Sequence, residues 1–455
     1  MRSMGQPVLL GTKNSFPIAT LRIQFAMHDF MEHLNHNKNN NESQNDNGGD
    51  SGSDPIGQNG HLTSCTFSSA WRDTPDADCV LTLHYDHPLD GDDNDGYDDG
   101  TTKRSWKRQA SRLCRTLKLR QLNGRSKGML LSVTGTEIFL NNDNENSYDD
   151  GNDDGTEATI RDTIFLLQKN HCQDNSREWE VSLDDDGDVA GALPETNSIV
   201  AIPVHYEKPE TAFYHPNPNA MTTALAWMLN RLASISTSPT MQQQNQHHHQ
   251  QPLRLLEMYC GCGAHTVALG RSGLVSKILA IELDPRLVRA CEANVSRNSL
   301  QDIVQVKKGD AGRWAKEESR KRRSRRNRRD LDADGGADDK TNNSNNRENY
   351  YDVLLVDPPR QGLDEEVCKM AIMTIDGEVG VGENNSISNS EGCFRNLLYV
   401  SCGHQALLRD LERLSPVYEV VNCAQMDLFP RTDSIETLVH LRRRVEDKTY
   451  NASIE

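Results

Sequence analysis

The chain has 455 residues, 35% of them apolar, a mean hydropathy of -0.72 and a formal net charge of -17. That length allows two or three domains, and the apolar share lies below that of ordinary globular sequence. No apolar run reaches the roughly 20 residues that a membrane-spanning helix needs, which excludes that class. Much of the acid sits in Asp90–Asp99, Asp143–Asp154 and Asp184–Asp188. These low-complexity runs read as solvated insertions, so the negative balance is a weak guide against a nucleic-acid partner. With the Asn/Asp/Gly/Ser-rich stretches set aside, about 320 residues of ordinary globular sequence remain. Eleven cysteines are scattered without a paired framework, as in a reduced, intracellular protein. No Cys-x2-Cys pair has a second pair at metal spacing, so no metal site is expected. Cys260-Gly261-Cys262 is too close for a zinc knuckle, and His247-His248-His249 follows a Gln run and reads as linker.

Residues 1–61 form an amino-terminal segment that reads as largely disordered after 30. Its first 30 residues are poor in acid and carry Arg2 and Arg22, a faint likeness to an organelle transit peptide. Thr20–Phe25 alternates like a strand, so the fold could also begin there. Residues 62–212 read as a small α+β domain broken by acidic loops. Cys79–Tyr85, Met129–Gly135 and Thr136–Leu140 are strand candidates. Trp106–Leu117 reads as an amphipathic helix with Trp106, Ala110, Leu113 and Leu117 on one face. Lys107, Arg108, Arg112 and Arg115 lie opposite, a solvated face or a phosphate-contacting one. A third region, 213–447, opens with Pro216-Asn217-Pro218-Asn219 and a helical run through Met221, Leu225, Met228 and Leu232. It carries low-complexity inserts near 236–252, 316–349 and 377–393. The second insert is basic from Lys316 to Arg329 and acidic and Asn-rich thereafter. It reads as a localisation-like or RNA-contacting tract, or as a solvated loop whose halves neutralise each other.

Within that region, Leu255–Tyr259 reads as a buried strand. Cys260-Gly261-Cys262-Gly263-Ala264, a helix from His265 and a strand from Lys277 to Glu282 follow. This is a βαβ unit with a Gly-x-Gly turn and an acid at the second strand's tip, where a carboxylate can accept both ribose hydroxyls. Gly261 lets the backbone approach a ligand. Thr266 stands where a third glycine would favour a pyrophosphate, so the loop suits an adenosyl ligand without phosphates, such as S-adenosylmethionine. A third strand, Ile303–Lys307, leads to Asp310, which either faces the adenine side or caps a helix. A fourth strand ends in Asp357-Pro358-Pro359, where stiff backbone holds the acid at the carboxyl end of the sheet. A fifth, Leu397–Ser401, delivers Cys402, a thiol placed as a nucleophile. Cys260 and Cys291 read as structural.

Four stretches carry a resemblance: Leu256–Gly263, Val356–Asp364, Leu398–Cys402, and Phe429-Pro430-Arg431-Thr432 with Ile435-Glu436. Through them the half from Phe213 to Arg444 resembles the RNA uracil-C5 methyltransferase family, within it the bacterial-type tRNA enzyme acting on the T loop. Trp106–Leu140 and Glu207–Met221 match more loosely. The resemblance implies an α/β fold: a Rossmann-like, S-adenosylmethionine-dependent methyltransferase domain behind a small α+β RNA-binding domain. It implies methylation of uridine C5, Cys402 as nucleophile and Glu436 as general base. Cofactor contacts are implied from Tyr259, Glu282 and Asp357, beside Gly261 and Asp310 from the strand pattern. His215 stands where the family has glutamine and Ala264 where it has asparagine, both at cofactor-facing positions. Gly403-His404 replace Asn-Pro, and Ser434 replaces a frequent histidine. The expected partner is the T arm of tRNA, with no membrane, a monomeric chain and a cytoplasmic location, an organelle or the nucleus remaining open. A ribosomal-RNA methylase of the same family and a non-catalytic RNA chaperone are the alternatives.

Overall fold

Leu253–Met258 (β10) buries every side chain but Arg254, as a largely apolar run does when both faces of its strand are covered. It lies near the middle of a seven-stranded sheet in the computed structural model, which describes residues 2–3, 6–7, 26–32, 62–69, 78–86, 101–126, 129–134, 159–170, 177–183, 198–209, 218–238, 252–333, 350–374, 393–427 and 435–444. Thr20–Phe25, Thr136–Leu140, His215, Phe429–Thr432 and Ser434 fall outside these residues.

In chain order the elements begin with β1 (Arg2–Ser3), β2 (Gln6–Pro7), helix α1 (26–32), β3 (Leu62–Ser69) and β4 (Cys79–Tyr85). Then come α2 (Thr101–Thr116), β5 (Gln121–Ser126), β6 (Met129–Thr134), β7 (Thr159–Asn170), β8 (Arg177–Ser182), β9 (Ser198–Pro209) and α3 (Pro218–Ser236). After β10 come α4 (Ala264–Arg271), β11 (Val275–Glu282), α5 (Pro285–Arg297), β12 (Val304–Lys308) and α6 (Ala311–Ala333). The chain continues through β13 (Val353–Val356), α7 (Glu365–Ile372), β14 (Asn396–Ser401), α8 (His404–Leu414), β15 (Tyr418–Met426) and β16 (Glu436–Arg443).

The large sheet has the order β12-β11-β10-β13-β14-β16-β15. Strands β10 to β14 pair in parallel, while β16 runs antiparallel to both β14 and β15. From β10 the chain moves outward to β11 and β12, then returns to β13 on the other flank. This reversal makes the carboxyl ends of β10 and β13 a topological switch point, where ligands bind in such sheets. Register then aligns the strand ends. Met258 pairs with Val356, and Val356 with Tyr399. A core of Leu256, Ile281, Leu354, Val356, Leu397, Tyr399 and Leu441 fixes that alignment. Helix α5 starts at Pro285, where the Asp284 Oδ1 accepts the Arg286 N–H at 2.8 Å and caps the first turn.

One division between the compact units falls between Thr211 and Ala212, one residue from the boundary expected between 212 and 213, but residues 163–206 group with the later unit. One unit is Met1–Asp162 with Glu207–Thr211, the other Thr163–Tyr206 with Ala212–Glu455. Most of β7, all of β8 and most of β9 therefore group with the sheet region. Asn230 of α3 accepts the Trp179 N–H at 2.9 Å and returns a bond to the Trp179 carbonyl at 2.8 Å. Asn298 makes the same two-way exchange with His205, at 2.9 and 2.7 Å. The basic stretch from Lys316 is not a loop: it continues α6 unbroken to Ala333. Its first half is held on Ala311, Ala315, Ser319 and Arg322, which recur along one buried side.

The first unit holds a four-stranded sheet, β3-β4-β5-β6, in which β4 and β5 are parallel and α2 makes the crossover. Trp106, Ala110, Leu113 and Leu117 are buried as their spacing predicts, joined by Ala26 and Phe30 of α1. Arg108, Arg112 and Arg115 are exposed and Lys107 is half-buried. Trp106 is fully buried and its indole N–H donates to the Tyr85 hydroxyl at 3.1 Å. Trp106→Ala is expected to destabilise this unit by about 3–5 kcal/mol, the range for emptying such a site. Hydrogen exchange of the β4 and β5 amides under mild denaturant would read it as lost protection.

Candidate active site and cofactor cavity

Beyond Met258 the chain turns sharply. Tyr259 adopts φ +64, and its N–H and that of Cys260 both donate to the Ile281 carbonyl, at 2.9 and 3.2 Å. A tyrosine in the left-handed region costs about 1–3 kcal/mol, a strain retained where a loop must be held for a ligand. Gly263 has φ +87, and a Cβ there would stand 2.7 Å from the Cys291 sulfur, so both conformation and space demand glycine. Asn294, fully buried, donates to the Cys262 carbonyl at 2.9 Å and fastens the loop from below. Ala264 opens α4, and its carbonyl accepts the Tyr206 hydroxyl at 2.8 Å.

Glu282 ends β11 beside this turn. Its Oε2 accepts the Gly261 N–H at 3.0 Å, and Oε1 accepts the N–H groups of Leu283 and Asp284 at 2.7 and 2.8 Å. Asp310 caps α6, accepting the Arg313 N–H at 2.8 Å. The cap reading of Asp310 holds, and the same residue also lines the adjoining cavity. That cavity, of about 740 Å³, is bounded by Tyr259, Glu282, Asp310, Asp357, Leu363 and Arg409 among others.

A second cluster occupies the next strand ends. Asp357 follows β13 directly and is half-buried. Cys402 follows β14 and is likewise half-buried. Ser401 pairs with Thr437 in antiparallel register, so the next rung sets Cys402 across from Glu436. Glu436 is only 1% exposed, and neither of its carboxylate oxygens has a hydrogen-bond partner. Burial pushes its carboxyl up to about 7, against the opposing charge of Arg360. Burial raises the Cys402 thiol, the carboxylates of Glu436 and Asp357 raise it further, and Arg360 pulls it back. Asp357 is held well above the usual carboxylate range by burial, then by Glu436 and Glu257.

The Cys402 loop also packs against the Asp357 loop. A Cβ on Gly403 would stand 2.4 Å from the Arg360 carbonyl oxygen, so glycine is required where the chain departs from the family pattern.

Of the residues singled out in sequence, Tyr259, Glu282, Asp310 and Asp357 line the cavity together, and Cys402 and Glu436 meet beside Asp357. Gly261 contributes its N–H to Glu282 and Ala264 its carbonyl to Tyr206, so both act through backbone. Sequence reasoning passed over Glu257. It is 1% exposed inside β10, accepts the Thr266 hydroxyl at 2.7 Å, and holds its Oε1 3.9 Å from the His265 Nδ1 with no hydrogen bond among the described residues. Burial pushes its carboxyl up to about 8. An acid inside the otherwise apolar run Leu255-Leu256-Glu257-Met258 was the available signal, since charges are rarely buried without purpose. Among the described residues, no group of three or more His, Cys, Asp or Glu could hold a metal ion.

Known proteins were compared with this arrangement. A tRNA/tmRNA (uracil-C(5))-methyltransferase of Shewanella denitrificans is 28% identical over 269 residues, covering 59% of this chain and 58% of the relative. One from Shewanella amazonensis is 30% identical over 243 residues, covering 53% and 52%. The chain spans about half the length of the curated relatives it matches. Among solved structures, a Pyrococcus abyssi tRNA (uracil-54, C5)-methyltransferase in complex with S-adenosyl-L-homocysteine superposes with a TM-score of 0.39 at 13% identity, over 80% of this chain and 56% of that one. The sequence profile described as tRNA (Uracil-5-)-methyltransferase matches residues 190–376 and 381–444, more than half of the chain, and takes in the glycine loop, Asp357, Cys402 and Glu436. The chain therefore belongs to the tRNA (uracil-5-)-methyltransferase family.

Proposed function

We propose that this chain methylates C5 of a uridine in tRNA, at T-loop position 54, with S-adenosylmethionine as cofactor and Cys402 as covalent nucleophile. The observation that carries the reading is the pairing of a half-buried thiol with a buried carboxylate whose oxygens have no hydrogen-bond partner among the described residues. A buried, unbonded carboxylate costs stability, and it is retained where a proton must be taken.

The cavity fits the cofactor. Glu282 offers a carboxylate for ribose hydroxyls, Tyr259 a flat apolar wall, and Asp310 a polar edge for the base. Glu282, Asp310, Asp357 and Asp364 line the crevice with carboxylates, which suits a ligand with a cationic centre and disfavours phosphates. When bound, S-adenosylmethionine supplies an electrophilic methyl group.

The protein's part follows from the chemistry of uracil. C5 is a poor nucleophile until a thiolate adds to C6, which shifts electron density to C5. Cys402 forms that C6–S bond. Once C5 carries both its methyl and its original hydrogen, Glu436 removes the proton. The C6–S bond then breaks, the ring regains its double bond and Cys402 leaves as thiolate. Asp357, between cavity and thiol, faces both reactants. Burial around Glu436 tunes the base toward neutral pH, where a general base works best.

Cys402→Ala should abolish methyl transfer to tRNA, and RNA carrying 5-fluorouridine should trap a covalent adduct with the wild-type chain. Failure to trap an adduct on an active enzyme would refute the addition–elimination route. Glu436→Gln should lose turnover yet still trap that adduct, because fluorine at C5 leaves no proton to remove. Turnover should rise with pH through about 7, as Glu436 loses its proton and the raised thiol of Cys402 begins to ionise. A flat profile between pH 6 and 8 would count against this assignment. Mapping 5-methyluridine in RNA from cells with and without the gene separates tRNA from ribosomal RNA as target.

The same residue should oppose stability. Its folded carboxyl titrates near 7 and an unfolded one near 4.5. Between these values the unfolded state releases the proton first, so stability falls as pH rises, by on the order of 3 kcal/mol in all. Glu436→Gln should then melt above the wild type at pH 8 and level with it at pH 4.

A further inference from the structure

The reaction derived above leaves one fully buried carboxylate without a task. Asp410 lies in α8, the helix that starts two residues after Cys402, and its side chain is 0% exposed. Its Oδ2 accepts two donors from different elements: the Tyr399 hydroxyl at 2.9 Å and the Leu363 N–H at 2.7 Å. Tyr399 belongs to β14, three residues before Cys402. Leu363 belongs to the loop that leaves Asp357 and lines the cavity. On the other oxygen, the Arg409 Nε donates at 3.1 Å, and the Arg409 Nη2 reaches the Gln361 carbonyl at 2.6 Å. Arg409 also borders the cavity. One carboxylate thus ties the strand and helix that present the thiol to the loop that shapes the cofactor side.

A second joint lies nearby. Gly403 meets the Arg360 carbonyl so closely that no Cβ fits between them. At that point the Arg360 backbone leaves no room for a side chain on Gly403, which supplies closeness but no direction. Directional bonds to the 361–363 loop come from Asp410 and from Arg409, which Asp410 holds.

We infer that Asp410 is a positioning residue: it sets the distance between Cys402 and the cofactor cavity by clasping the 361–363 loop to the β14–α8 corner. This rests on the methyltransferase reading above. It goes beyond that reading in giving a role to a residue that touches neither uridine nor cofactor. A group that held the fold alone would change melting temperature and leave ligand affinity untouched. A clasp between the two halves of a site changes affinity on the cavity side and reactivity on the thiol side together, because a small misplacement of reacting groups costs rate steeply.

The full-length chain, with Asp410→Ala, Asp410→Asn and Tyr399→Phe, provides the test. Calorimetry would give the Kd for S-adenosylhomocysteine, hydrogen exchange would follow the Leu363 amide, and 5-fluorouridine RNA would give the trapping rate. Asp410→Ala should weaken S-adenosylhomocysteine binding and slow trapping by about tenfold or more each, since it removes hydrogen bonds to a charged group. The Leu363 amide should exchange faster. Asp410→Asn keeps an acceptor for Leu363 and Tyr399 but loses the charge facing Arg409, so it should fall between Asp410→Ala and wild type. Tyr399→Phe should cost about threefold, while KM for tRNA stays unchanged in all three. If Asp410→Ala fails to fold, the two milder variants carry the same comparison.

Folded variants with wild-type Kd and wild-type trapping rate would overturn the inference. A wild-type chain that binds S-adenosylhomocysteine but methylates no uridine would refute the function proposed above, while the Kd comparison would still decide the clasp. A wild-type chain that does not bind S-adenosylhomocysteine would overturn both.

Discussion

The site exists because β10 and β13 end at one level and the neighbouring β14 runs two residues past them. Leu256, Leu354 and Leu397 lie in one row across the three strands, and their burial locks β10, β13 and β14 in register. A slip of one residue would turn each strand's side chains to the opposite face, so the alignment is strongly specified. It sets Tyr259, Asp357 and Cys402 just beyond neighbouring strand ends. The antiparallel return of β16 then brings Glu436 across from Cys402. Residues about 180 positions apart in the chain become neighbours through backbone pairing alone.

On that frame the electrostatics pull against one another. Glu257, Asp357 and Glu436 lie close enough for each to influence another's protonation, in surroundings that penalise every negative charge. Burial raises the carboxyls of Glu257, Asp357 and Glu436, and the Cys402 thiol with them. Arg360, from the loop that follows Asp357, is the positive charge that favours ionisation of both Cys402 and Glu436. A positive charge in the adjoining cavity would act in the same direction.

The departures from the family pattern look different once the loops are seen packed. Gly403 is not a lost asparagine but the residue that the Arg360 carbonyl permits. Ala264 keeps a role through its backbone, where the Tyr206 hydroxyl bonds its carbonyl. What holds this corner is the buried network on Asp410, whose partners are drawn from β14, α8 and the loop after Asp357. No single stretch of sequence displays such a network, because its members are separated by up to 47 positions.

The parallel strands and the glycine turn were legible in the sequence, because each rests on local chemistry: apolar runs and backbone freedom. Cys402 and Asp357 were legible for the same reason, as polar groups that terminate buried runs. Glu436 was named only through resemblance, since its surroundings come from strands that pair in space and its neighbours in sequence are unremarkable. Residues 163–206 group with the later unit because Trp179 and His205 are hydrogen-bonded to Asn230 and Asn298, far along the chain. The basic stretch was misread because composition favoured a loop where Ala311, Ala315 and Ser319 anchor a helix. Local pattern thus determined which residues could carry chemistry. Only tertiary packing decided which of them meet, because burial, register and shared charge depend on separations in space that no spacing along the chain encodes.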